Sequence, residues 1–222
     1  MTKKNLLLPF FTLIVLISAG QYQKPTNTSD FVMECMKTSG ELPDKQMALW
    51  FPYNFWQIIG EQMNITSDAV QDIADEMSNY MMFAVVDYHV SNSGVTFKSD
   101  EEIRKSIKLY DSSKKVYAPI NDKDISPTAK MLLQNFQPVM SQMLGQFGAG
   151  MRVFLFDAKK KNGRPIIDIA TVNNFTLSWE QISIRWTLPF SSALPPKYCP
   201  VDGEQMKGNW NYCPVHGVKL SE

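Results

Sequence analysis

The chain has few of the residues from which most catalytic sites are assembled. Of its 222 residues only 2 are histidine and 3 are cysteine. A serine or cysteine triad would have to be built on His89, because His216 sits in a turn among cysteines. No phosphate-cradling glycine loop, dinucleotide fingerprint or His-Glu-x-x-His run occurs, and there is no Gly-x-Ser-x-Gly elbow. Three cysteines are too few for a disulfide-rich scaffold. Charge of one sign is also missing: 22 basic residues face 22 acidic ones, so no field draws nucleic acid to the chain. Past the N-terminal segment no apolar run is long enough to span a bilayer.

Aromatic and sulfur-containing residues are plentiful. Aromatics make up 12% of the chain and 13 methionines add apolar volume, a composition that folds rather than stays disordered. A chain of 222 residues buries one good core or two small ones.

Residues 1–20 read as a secretory signal, with Lys3 and Lys4, an apolar core from Leu6 to Ile17, and the small residues Ser18-Ala19-Gly20 at a cleavage position. The expected location is therefore exported, periplasmic or secreted. The alternative is membrane attachment by an uncleaved signal. Residues 21–48 read as a polar N-terminal linker with a short helix around Phe31–Lys37. A main domain is expected over 49–190.

That domain opens on a dense aromatic cluster, Leu49 to Trp56. It suits a plug at one end of the core, or a ligand-gripping or membrane-interface surface. The spacing of Val70, Ile73, Ala74, Met77, Tyr80 and Met81 predicts a helix from Ser67, with Asp68 and Gln71 as capping box or Ser67 as cap. Strands are expected over Met82–Val90 and Val95–Phe97. Asp87 and His89 would share one strand face, as a His–carboxylate base or as ordinary surface.

Ser99 and Glu102 form a capping box, and a hairpin is predicted from Ile107–Asp111 and Val116–Ile120. Ser126-Pro127 starts a second long helix that should bury Leu132, Phe136, Val139, Met143 and Phe147, kink at Pro138 and end at Gly145, Gly148 and Gly150. Its methionines suit core packing or an adaptable groove. Further hairpins are predicted from Met151–Asp157 with Ile166–Val172, and from Phe175–Trp179 with Ile182–Leu188. Asn27, Asn64 and Asn174 begin glycosylation sequons. The sum is a strand-rich α+β fold: an antiparallel β-sandwich-like domain with two helices, or an α+β sheet with both helices on one face.

The tail, 194–220, holds the one internal repetition. Cys199-Pro200-Val201-Asp202-Gly203 is followed by Cys213-Pro214-Val215-His216-Gly217. Proline after the cysteine presets a tight turn and glycine closes it with positive φ. Each turn aims a cysteine sulfur and a residue three further on at a common point. Cys199, Asp202, Cys213 and His216 are thus four donors of types that zinc accepts. The tail resembles a zinc ribbon, whose knuckles read Cys-Pro-x-Cys-Gly. It departs from that pattern where Asp202 and His216 replace the second cysteine of each knuckle. The resemblance implies a bound Zn2+ ion in a structural role. A disulfide between Cys199 and Cys213 or a metal-free relic of the ribbon are the competing readings. Cys35 is left over as a small buried residue.

Two functions from different classes follow. One is an exported, non-enzymatic binding or envelope-assembly protein, its partner a protein or envelope component, with the tail as clasp. The other is a zinc-dependent hydrolase or metal-handling protein using Cys199, Cys213 and His216.

Overall fold

A computed structural model describes residues 28–62, 65–160, 163, 165–167 and 172–221. The signal reading for 1–20 and the sequons at Asn27 and Asn64 lie outside the described residues.

The described residues begin with helix α1 (Thr28–Cys35), which buries Phe31 and Cys35. A hairpin of β1 (Met36–Glu41) and β2 (Asp44–Phe51) follows directly. From Thr28 onward the segment expected as linker to residue 48 is therefore part of the folded body. Its polarity misleads because β1 lies at the edge of its sheet and needs few apolar residues. The aromatic cluster divides between β2 and helix α2 (Tyr53–Gln62), broken at Pro52.

Helix α3 (Ser67–Met77) stops sooner than the periodicity implies, and Tyr80 opens β3 (Tyr80–Ser91). Tyr80 and Met81 fall in phase with the helix by coincidence of spacing, while Ser78 and Asn79 turn the chain. The predicted capping box is absent: Thr66 is the cap residue without a side-chain bond, and Gln71 donates instead to the Tyr53 hydroxyl and Asp75. β4 (Gly94–Phe97) completes a hairpin with β3. The Ser99–Glu102 capping box forms as expected on α4 (Asp100–Arg104).

β5 (Lys108–Tyr110) and β6 (Val116–Tyr117) form the next predicted hairpin. Helix α5 (Pro127–Met143) starts at Ser126, whose hydroxyl accepts from the Ala129 N–H, and continues through Pro138. Ala129 and Met140 are its buried residues, Leu132 and Phe136 pack at the core margin, and Val139 is 39% exposed rather than buried. The Met143 side chain lies outside the described ones. A 3-10 turn, Gly145–Gly150, ends the helix and packs Phe147 on Tyr88.

β7 (Arg152–Asp157) pairs with β3, and the described residues of the 166–172 segment form no strand beside it. The described part of that segment holds bends, with one bridge from Lys159 to Pro165. β8 (Asn173–Trp179) and β9 (Ile182–Leu188) form the last predicted hairpin.

Every strand pairing among the described residues is antiparallel. The first sheet runs β1-β2-β3, with β4 and β7 taking opposite ends of the far side of β3. The second runs β6-β5-β8-β9. Their inner faces meet through aromatic rings: Trp50 on Phe175 at 4.7 Å, Phe83 on Trp186 at 5.6 Å, and Phe175 stacked on Trp186 at 5.2 Å. Strand alternation sends Phe51 to the other face, where Phe55, Trp56 and Phe136 cover it. Helices α2 and α5 thus layer the outer side of the first sheet. The architecture is a strand-rich α+β fold that combines both expected arrangements: a sandwich, with helices against one of its sheets.

One buried acid ties the two sheets. Asp87 on β3 accepts from Trp179 Nε1 at 2.8 Å and from Gln46 Nε2 at 3.2 Å. Lys98 stands 4.0 Å away and also pairs with Glu180. Asp87→Ala leaves the Trp179 N–H unsatisfied in the core. It is expected to lower stability by about 2–3 kcal/mol, read as a shift of the urea midpoint, whereas Asp44→Ala on the exposed edge should change little.

Candidate metal centre

The tail leaves the main domain through Pro189 and a short 3-10 turn, Ser191–Ala193. The Glu34 carboxylate of α1 holds this stem. It accepts from the Ser191 N–H at 2.9 Å and hydroxyl at 2.6 Å, and from the Ser192 N–H at 3.1 Å and hydroxyl at 2.5 Å. Burial works to raise the pKa of Glu34, but these bonds outweigh it and hold the group below its ordinary range. Phe31 against Phe190, 5.9 Å apart, completes the root.

Beyond the stem the two turns repeat each other bond for bond. In the first, the Gly203 N–H donates to the Cys199 carbonyl at 2.8 Å and the Cys199 N–H to the Glu204 carbonyl at 2.9 Å. In the second, Gly217 donates to Cys213 at 2.8 Å and Cys213 to Val218 at 2.8 Å. Gly203 and Gly217 take φ of 73° and 67°, a conformation that costs glycine nothing. β10 (Lys197–Tyr198) and β11 (Gln205–Met206) flank the first turn, and a bridge between Tyr212 and Lys219 closes the second. A further bridge, Tyr198 to Ser221, joins the halves. Cys199, Met206, Cys213 and Leu220 form a small core separate from the main one.

This framework brings three of the four expected donors together. The ligating atoms of Cys199, Cys213 and His216 all lie within 4.8 Å of one another. His216 Nδ1 stands 3.4 Å from Cys199 Sγ and 3.6 Å from Cys213 Sγ. Sulfur and nitrogen bound to one tetrahedral zinc ion stand about 3.6 Å apart, so the thiols and imidazole fit the ion. Asp202 is the outlier of the four: its Oδ2 lies 3.6 Å from His216 Nδ1, while its Oδ1 accepts from the Glu204 N–H at 3.0 Å. Both cysteines are free thiols rather than a disulfide.

The backbone prepares both sulfurs for negative charge. The N–H groups of Val201 and Asp202 point at Cys199, and those of Val215 and His216 at Cys213, the last at 3.4 Å. These N–H···S donors carry no side-chain signature and could be anticipated only from the turn's shape. Burial pushes the Cys199 thiol up, aided by its contacts with Asp202 and Cys213. For Cys213 burial acts in the same sense, but the N–H groups and His216 prevail and bring the thiol below the ordinary cysteine range. The Asp202 carboxyl is held low by the Glu204 N–H, then by the Cys199 thiol and His216.

The other candidate, Asp87 with His89, does not assemble. Asp87 is turned into the seam between the sheets, whereas exposed His89 pairs through Nδ1 with Asp44 at 2.8 Å. Cys35 is buried beneath the sheets, its thiol pushed far up by loss of hydration. No helix of the described residues is long and apolar enough to cross a membrane. Compared with known proteins, the chain matches no protein-family model, no curated protein and no solved structure.

In metal-free protein the thiolate absorbance at 240 nm is expected to rise in two steps, one below and one above the ordinary cysteine value. Cys213→Ser should remove the lower step. A single step at the ordinary value would show that the backbone donors do not act on the sulfurs.

Proposed function

We propose that the chain is an exported, non-enzymatic binding or assembly module whose C-terminal ribbon is clasped by one structural zinc ion. Cys199, Cys213 and His216 supply three donors and Asp202 the fourth. The observation that carries this reading is the duplicated knuckle: two turns with the same hydrogen bonds that together bring both sulfurs and the His216 imidazole to a shared point, with Asp202 at its margin. A disulfide needs neither His216 nor the N–H groups aimed at sulfur. Export is supported by the composition of residues 1–20 alone.

A structural role fits the surroundings of the site. The cavity beside the ribbon, about 290 Å3, is lined by Asp30, Ser191, Ser192, Gln205 and Lys207 among others, and by none of the four donors. Catalytic zinc keeps an open position facing a cleft. The alternative of a zinc-dependent hydrolase or metal-handling protein rests on one feature. Asp202 is the loosest donor, and its half-exposed carboxylate is where water would enter.

Purified full-length protein should carry one zinc per chain by elemental analysis, with Cys199 and Cys213 both reduced. A chelator should then disorder the ribbon, read from the fluorescence of Trp210 and the NMR signals of Val201 and Val215, while the main domain keeps its unfolding midpoint. Asp202→Ala should weaken zinc at least tenfold, and Cys213→Ser should abolish stoichiometric binding. Protein isolated without metal and with the two cysteines bonded would refute the clasp. Chelation that stops a measured turnover without disturbing the ribbon would favour the hydrolase.

A further inference from the structure

The outward face of the second sheet is polar and carries basic side chains. Register places its side chains in rows. Tyr110, Thr176 and Arg185 stand side by side across β5, β8 and β9, and Lys108, Ser178 and Ser183 form the next row. Asn174 on β8 extends the face, and Lys114 overhangs it from the β5–β6 turn. Tyr110, Lys114, Asn174, Thr176, Ser183 and Arg185 border an open cavity of about 460 Å3, the size of a site for a small polar ligand, with Lys108 on the same face outside it.

The charge on this face is unbalanced although the whole chain is neutral: Arg185 and Lys114 line the cavity and Lys108 stands beside it. Arg185, Lys108 and Lys114 form no ion pair or side-chain hydrogen bond among the described residues. One acid, Asp111, borders the cavity, and its carboxylate is already spent. It accepts from the Ser113 N–H and hydroxyl at 3.0 and 2.6 Å, the Lys115 N–H at 3.0 Å and the Tyr117 hydroxyl at 3.0 Å. Three cations are thus held on one face with no free anion opposite them.

The neutral groups narrow the partner further. The Tyr110 hydroxyl, the Thr176 hydroxyl and the Asn174 amide have no hydrogen-bond partner among the described residues. Hydroxyls and amides both donate and accept, which matches the alternating needs of a polyol. An extended peptide would pair with a sheet edge, and these groups lie on a sheet face. A single aromatic ring, Tyr110, gives little stacking surface for nucleic acid bases.

We propose that this face binds an acidic saccharide, a glycan bearing carboxylate or sulfate groups. Arg185 and Lys114 take the acid, and Thr176, Asn174 and Tyr110 take the sugar hydroxyls. The proposal rests on the reading of the chain as a binding module and names the chemistry of its partner. It is independent of the zinc clasp, whose metal content is measured separately.

The test is calorimetric titration of the full zinc-loaded chain with a sulfated hexasaccharide, beside a neutral hexasaccharide, inorganic sulfate and a polyglutamate peptide. Only the sulfated sugar should bind, and more weakly as salt rises. Arg185→Glu and Lys114→Glu should each weaken it at least about tenfold, and Thr176→Val by a few fold, with unchanged urea midpoints. Should Arg185→Glu fail to fold, Lys114→Glu in the exposed turn carries the test. The proposal is overturned by no binding of the sulfated sugar, by equal binding of sulfate or polyglutamate, or by undiminished binding in the folded Lys114→Glu variant. Any of these with zinc still at one per chain would leave the clasp standing.

Discussion

The contact between the two sheets is the constraint on which the rest of the molecule depends. Trp50, Phe83, Phe175 and Trp186 interlock across it, with every ring buried. Aromatic side chains each bury about 150–250 Å2, so these four supply a large share of the core's driving force. They also fix the sheets' relative position, because rings packed edge to face tolerate little sliding. The polar tie of Asp87 to Trp179 adds direction to this attraction, since a buried acceptor satisfied by one specific N–H penalises every other alignment.

From that seam the remaining layers follow by alternation. Residues one step away from the inward rings point outward on the same strands. On the first sheet they are apolar, as Phe51 is, and call for the cover that α2 and α5 provide. On the second sheet they are Thr176, Ser178, Ser183 and Arg185, which water serves without a helix. The sandwich therefore has one helix-covered side and one bare polar side, a difference written in the alternate residues of four strands.

Local chemistry was legible in the chain and long-range pairing was not. The Ser99–Glu102 box, the Ser126-Pro127 start and the β8–β9 hairpin each depend on residues a few positions apart, and each is found where expected. The grouping of Cys199, Cys213 and His216 was legible for the same reason, since a knuckle is a five-residue unit. By contrast, β7 lies against β3 and sets Phe156 on Phe83 of the ring seam, a contact between residues far apart in sequence. Nothing within the hairpin sequence registers that contact. Glu34 was invisible as an anchor because its hydrogen-bond partners, Ser191 and Ser192, are 157 and 158 residues away along the chain.

The Glu34 anchor also determines how the molecule answers to mechanical load. It joins α1, the first described helix, to the stem of the last structural unit. Tension applied between the N-terminal end and the ribbon would converge on this carboxylate and on the Phe31–Phe190 contact before reaching either sheet. Those few bonds act as a fuse. The ribbon would swing free on its stem while the ring seam stayed shut, so the body and the tail could be pulled apart without unfolding the protein.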